Sequence, residues 1–233
     1  MNLNTKAIEE VIKETLGTAK KQKQTKPVNE AYVVSTRKYD VTTEKLSEET
    51  KMAHEALMEG YAKSLNEVSA ELETADRENV NTNNSYFRNL KMDEVYNLNA
   101  VFLHGMFFEN ISDVRSNVPM DSLAYMRFER DWGSFDAWQR DFIACALSAR
   151  NGWVVTVYNF MLRRYVNVVV DLHNIGIPFS SVPVIVLDCW EHSYYRDYLK
   201  DRKSYVFAMM KELRWEKIED RIRKVEKMAE ALR

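Results

Sequence analysis

The sequence predicts an α+β protein in which helices come first, a small antiparallel sheet follows, and helices return. Three observations point there. Only 6 glycines and 4 prolines occur in 233 residues, so long uninterrupted helices are expected. Apolar residues recur at helical spacing through the first half of the chain and again near its end. Between them stand two runs rich in β-branched and aromatic residues, 153–158 and 165–172, with a third at 184–187. That order differs from the strict alternation of a doubly wound sheet.

Taken from the start, Ile8, Val11, Ile12 and Leu16 form a short apolar stripe, followed by the basic run KKQKQTK and Pro27. Residues 1–45 are therefore expected to be a partly flexible extension. Ser47, Glu48 and Glu49 suit a helix start, where a hydroxyl can cap and acids complement the dipole. Ala53, Leu57, Tyr61, Leu65, Val68 and Leu72 continue as an amphipathic stripe until DRENVNTNNS breaks it. A second helix is expected over 90–111, so that 46–117 reads as an antiparallel helical hairpin and 118–233 as a C-terminal α/β domain. In that second domain, helices are expected at 122–129 and 135–149. NFMLRR should join the first two strands as an antiparallel pair. Pro178 and Pro183 should frame a loop before the third strand, and helices at 190–198, 204–213 and 216–233 complete the chain.

Composition narrows the function classes. Lys and Arg total 33 against 35 Asp and Glu, a formal charge of -2, which gives no electrostatic reason to expect nucleic acid or an anionic membrane as partner. No apolar run approaches the roughly 18 residues of a membrane span, and the first residues lack the apolar core of a secretory signal. Cys145 and Cys189 are too few for a disulfide framework. Both stand in apolar surroundings and are expected as buried free thiols, which suits a cytoplasmic location.

The chain has 4 histidines: His54, His104, His173 and His192. A lone helical histidine is ordinarily a surface or core residue. His54 and His104, however, sit on the two arms of one expected hairpin, and His192 follows Asp188 by one helical turn. The run VPVIVLDCWEH drives a carboxylate to the end of an apolar strand, where an unpaired charge would be costly. A metal would supply the partner, and imidazoles with one carboxylate suit iron, manganese or zinc.

The segment DCWEHSYY at 188–195 resembles the D-x-W-E-H-A-Y-Y signature of the iron/manganese superoxide dismutases. LSEETKMAH (46–54), NAVFLHGMFF (99–108), DWGSFDAW (131–138) and NGWVV (151–155) are similar to other motifs of that family, in family order over roughly residues 46–222. The resemblance implies metal ligands at His54, His104, Asp188 and His192, with one iron or manganese ion per subunit. It implies that His173 serves the metal-bound solvent from outside the ligand set, because Ala100 stands where another subgroup supplies a Gln. Tyr61 is the nearest match to the family's gate tyrosine, one residue early. Glu191 and Tyr195 match residues that the family uses across a dimer interface, so a homodimer or larger homo-oligomer is implied. Met58 and Phe108 replace a His and a Trp of the family pattern.

The function implied is dismutation of superoxide. Its alternative is a structural or assembly protein of the same fold, such as a virion component, attached to a partner through residues 1–40. A zinc hydrolase is the weakest option, since no general-base Glu stands in a recognisable motif beside the candidate ligands.

Overall fold

The computed structural model describes residues 28–29, 31–111 and 117–232. The stripe from Ile8 to Leu16 and the basic run after it lie outside the described residues. Among the described residues the order is α1 (Glu48–Glu73), α2 (Tyr86–Asn110), α3 (Leu123–Trp132), α4 (Phe135–Ser148), β1 (Gly152–Asn159), β2 (Arg164–Asp171), β3 (Ser181–Asp188), α5 (Glu191–Tyr198), α6 (Arg202–Lys211) and α7 (Trp215–Ala231). This is the α+β order expected: two long helices, then a domain of helices around a three-stranded antiparallel sheet. No described helix is long and apolar enough to cross a membrane.

The described chain falls into two compact units, and the division lies inside both α1 and α2. The smaller contains the described residues up to Val34 together with 64–94. Leu72, Ala75 and Leu90 form its apolar cluster, with Val68 and Phe87 packed against them. The preceding chain is strapped to this cluster's helix by side chains rather than by a ladder. The backbone N–H groups of Asn29 and Ala31 donate to the Glu73 carboxylate. Tyr32 N donates to Ser69 Oγ (2.7 Å), and Asn66 both accepts from Val34 N and donates to Val34 O.

The larger unit contains residues 35–63 and the described part of 95–233. Its sheet has the order β2-β1-β3, with both pairings antiparallel. The central strand β1 is buried along its whole length. Phe128, Trp138, Phe142, Trp153, Tyr165, Ile185 and Ile218 lie in the core around it. Gly152 is needed where β1 enters the sheet, because a Cβ there would stand 2.0 Å from Val170 O. The strand register pairs Trp153 with Asp188, bringing the end of β3 beside the start of β1.

Several boundaries differ from expectation for local reasons. α2 starts at Tyr86, before position 90, because Ser85 Oγ accepts from Arg88 N and caps it. α3 runs past 129 to Trp132 and stops at Gly133, whose left-handed backbone (φ 84°) lets its N–H bond to Glu129 O. Pro183 was expected in a loop but lies within β3. β3 is an edge strand, and the ladder skips a residue there: Thr156 pairs with Ile185 and Val157 with Pro183. Edge strands and bulges are the places in a sheet that tolerate proline. Cys189 is buried as expected, whereas Cys145, packed against the edge of the core, is only half-buried.

The stretch just before α1 is also committed to the larger unit. Tyr39 packs its ring on Phe108 (5.4 Å), Val41 lies against the core, and Thr43 and Leu46 are buried. Gly105 accommodates Tyr39, since a Cβ at 105 would stand 2.8 Å from its hydroxyl.

Candidate metal centre

Four elements of the larger unit deliver the candidate side chains. His54 comes from α1, His104 from α2, Asp188 from the last position of β3, and His192 from the first turn of α5. One potential ligand atom from each lies within 4.8 Å of all the others. His54, His104 and Asp188 are buried, and His192 is partly so.

Asp188 is held from every side. Its Oδ1 accepts from the backbone N–H of Trp190 at 2.8 Å. Its carbonyl accepts from the hydroxyls of Tyr205 (2.8 Å) and Ser193 (3.3 Å). That leaves Oδ2 facing the histidines, with His54 Nε2 at 2.9 Å, His192 Nε2 at 3.2 Å and His104 Nε2 at 3.9 Å.

The ionisation pattern follows from this packing. Burial alone would raise the Asp188 carboxyl, but His192 and His54 hold it well below the usual carboxylate range. Burial pushes His104 down to about 3, with the neighbouring His54 adding to the shift. Burial likewise lowers His54 despite its bond to Asp188. For His192 burial opposes charging, yet Asp188 prevails and raises it.

The histidine atoms test whether a cation fits. His104 Nδ1 lies 2.6 Å from Ala100 O, which can only accept, so Nδ1 carries the proton. The lone pair therefore sits on Nε2, a buried atom with no hydrogen-bond partner, within reach of Asp188 Oδ2. A buried acceptor left unpaired beside an ionised carboxylate and two further imidazoles is the donor set of a cation site. These residues fit one metal ion.

Aromatic rings wall the cluster. Phe107 and Phe108 lie about His54, with centroids at 5.1 and 5.0 Å. Trp153 meets His104 edge-on at 4.9 Å, and Trp190 stacks on both His192 (5.8 Å) and His173 (5.2 Å).

The other sequence candidates divide. His173 is buried in the turn after β2; it accepts at Nδ1 from Trp153 Nε1 (3.1 Å), and its Nε2 lies 3.2 Å from Tyr61 Oη. Tyr61 lies beside His104, with ring centroids 5.5 Å apart. Both thus stand against the cluster. Glu191 and Tyr195 are exposed on α5 and take no part in it. Met58 is buried in the core. Sequence reasoning missed Tyr96, whose ring lies 4.6 Å from His173. Its position on α2, about two turns before His104, was the available signal.

One carboxylate and three imidazoles, buried among aromatic rings on an α+β scaffold, define the protein's class as a metalloprotein with a single-ion site. Comparison with known proteins then specifies the family. Residues 121–221 match the model of "Iron/manganese superoxide dismutases, C-terminal domain". "Superoxide dismutase [Fe]" of Aquifex aeolicus is 33% identical over 182 residues, covering 77% of this chain and 84% of that protein. The Aquifex pyrophilus protein of the same name matches to the same extent. "Superoxide dismutase [Mn] 2" of Halobacterium salinarum is 38% identical over 126 residues, 54% of this chain and 62% of that protein. The chain belongs to the iron/manganese superoxide dismutase family. It is an enzyme of that family, with a four-residue cluster suited to one iron or manganese ion.

Proposed function

We propose that this protein dismutes superoxide, converting two superoxide anions and two protons to dioxygen and hydrogen peroxide. The metal would be held by His54, His104, Asp188 and His192. The observation that carries this reading is the buried, unpartnered Nε2 of His104 beside the Asp188 carboxylate. A bound iron or manganese ion supplies the one-electron chemistry, alternating between its +3 and +2 states.

This chain's residues supply the remainder. Asp188 is the one anionic group of the cluster, and its other oxygen is fixed by Trp190 N, so it holds one orientation. His104 is pinned through Nδ1 by the Ala100 carbonyl. Phe107, Phe108, Trp153 and Trp190 exclude bulk water from one side of the centre. His173 and Tyr61 act from outside the ligand set, presenting hydrogen-bonding groups to the small anion. Burial drives His173 down to about 4, so it serves as a neutral imidazole near neutral pH. Burial, with Tyr96 next, raises Tyr61 to about 12, so its phenol keeps its proton.

We extend the proposal to a homodimer, in which Glu191, exposed at the start of α5, accepts the free ring N–H of His192 in a second copy. The two free cysteines support a cytoplasmic location. An attachment role for residues 1–40 narrows to the part before Asn29, because Asn29, Ala31, Tyr32, Val34 and Tyr39 are engaged by α1 side chains.

Metal analysis of the purified protein with a superoxide-consumption assay tests the reading. About one iron or manganese per chain and consumption well above the spontaneous rate are expected. His173→Ala should keep its metal and lose rate, whereas His104→Ala should lose both. Metal-loaded protein that consumes superoxide no faster than buffer would refute the enzymatic reading.

A further inference from the structure

We infer that Tyr39 is a positioning residue of this centre: it braces both ligand-bearing helices at once and sets the spacing of the turns that carry His54 and His104. The inference rests on the proposed metal centre and adds to it a residue outside the cluster.

Each contact of Tyr39 falls beside a candidate ligand. Its backbone N–H donates to the carboxylate of Glu55, one position after His54 on α1, at 3.3 Å. Its hydroxyl lies over Gly105, one position after His104 on α2. A Cβ at 105 would stand 2.8 Å from that oxygen and 3.7 Å from the ring carbon that carries it. The Tyr39 ring packs on Phe108 at 5.4 Å, and Phe108 in turn meets His54 edge-on at 5.0 Å and His104 at 6.4 Å. One side chain thus reaches both ligand turns and, through Phe108, both imidazoles.

Tyr39 is itself held in place. The Arg37 guanidinium lies over its ring at 4.8 Å and pairs with Glu109, the residue after Phe108. Glu109 also accepts from Arg221 of α7 at 2.7 Å, which ties the brace to the body of the unit. Between Tyr39 and α1, Thr43 and Leu46 are buried.

Gly105 is the trace this arrangement leaves in the sequence. A glycine inside a helix costs about 1 kcal/mol relative to alanine, so α2 gives up stability directly beside a ligand. What it gains is close approach, because only a residue without Cβ lets the Tyr39 hydroxyl come this near. The 2.8 Å approach is roughly half an ångström inside ordinary contact, the same size as the tolerance of a binding constellation, about 0.5 Å. His104 cannot absorb such a shift by turning its ring, since Nδ1 is pinned to the Ala100 carbonyl of the same helix. Its place therefore follows the backbone of α2, and Tyr39 sets where that backbone stops.

The test loads the full-length chain with Mn(II) and reads the electron paramagnetic resonance of the bound ion and its affinity in competition with a chelator. Gly105→Ala should displace the His104 turn, change the zero-field splitting, and weaken binding about tenfold, the low end of what outer partners of metal ligands contribute. Adding Tyr39→Phe removes the obstructing oxygen and leaves the ring carbon at 3.7 Å, an ordinary contact. The double variant should therefore recover the wild-type spectrum and affinity. Alone, Tyr39→Phe should stay near wild type, whereas Tyr39→Ala, which also removes the packing on Phe108, should weaken binding severalfold. A wild-type spectrum in Gly105→Ala, or a double variant no better than Gly105→Ala, would overturn the assignment. So would a Tyr39→Ala protein that melts lower yet binds Mn(II) as wild type does, since that marks an ordinary packing residue. Metal binding and rescue as expected, in a protein that consumes no superoxide, would refute the enzymatic reading and leave the role of Tyr39 standing.

Discussion

The two units of this chain are held together by different means. The smaller joins a few apolar side chains, Leu72, Ala75 and Leu90, to a set of backbone groups satisfied by Glu73, Ser69 and Asn66. The larger surrounds a fully buried strand with a continuous aromatic core, and into that core it admits an ionised carboxylate and three imidazoles. Burying a charge is tolerable only where rigid neighbours keep its partners in place. The difference shows why the metal candidates sit entirely in the larger unit, although α1 and α2 contribute to both.

The largest expected effect separates the centre from its scaffold. Asp188→Ala removes the one anionic candidate ligand and should weaken metal binding by more than about 100-fold, since loss of even an outer hydrogen-bonding partner costs 10–100-fold. Metal content after dialysis against a weak chelator reads this, and retention near wild type would show that the cluster is not the binding site.

Next come the two apolar cores. Phe128→Ala, in the stack with Trp138 (4.5 Å), should cost about 3–5 kcal/mol of stability. Leu72→Ala should cost about 2–4 kcal/mol, because its smaller cluster has fewer neighbours to lose. Urea unfolding measures both. If the units respond as their contents suggest, Leu72→Ala leaves metal content unchanged.

Acid should act on the larger unit first. His104 and His173 have folded values depressed to about 3 and about 4, below the ordinary 6.5. The unfolded chain therefore binds more protons between these limits, and the stability these groups contribute is present above about 6.5 and lost as pH falls toward 4. His192, raised by Asp188, has the opposite sign and loses its contribution as pH rises through its folded value. Thermal melting of metal-free protein should fall across pH 6.5 to 4, and His173→Gln should flatten the slope. A melting temperature independent of pH in that window would contradict the burial of these rings. The smallest effect belongs to the strap: Ser69→Ala removes the acceptor of Tyr32 N and should cost about 1 kcal/mol, read by hydrogen exchange at that amide.

The contrast also explains what was legible beforehand. Elements with a periodic apolar face and a capping residue were readable, as with Ser47 ahead of α1. The convergence of the four candidate ligands was readable through motif resemblance, and their separation along the chain gave spacing alone little power to reveal it. The segment from Ala31 to Leu46 was not readable as ordered structure, because its bonds go to side chains of α1 and leave no period in its own sequence. Pro183 misled because proline argues for a loop until the strand is known to be an edge with a bulge. Tyr96 escaped notice because its significance depends on His173, 77 positions away and brought near only by the turn after β2.

The bulge between β1 and β3 has an evolutionary consequence. Side chains on a strand alternate faces, so the number of residues between a fixed pairing and the strand end sets which way the last one points. Val184 is the residue skipped in the ladder, and four paired residues, Ile185 to Asp188, follow it. Length changes between β2 and β3 fall in a connector that can absorb them. A single insertion after Val184 would swap the faces of everything downstream and turn the carboxylate away from the histidines. Among lineages of this fold, gaps should therefore accumulate between β2 and β3 and be absent from the four positions beyond the bulge.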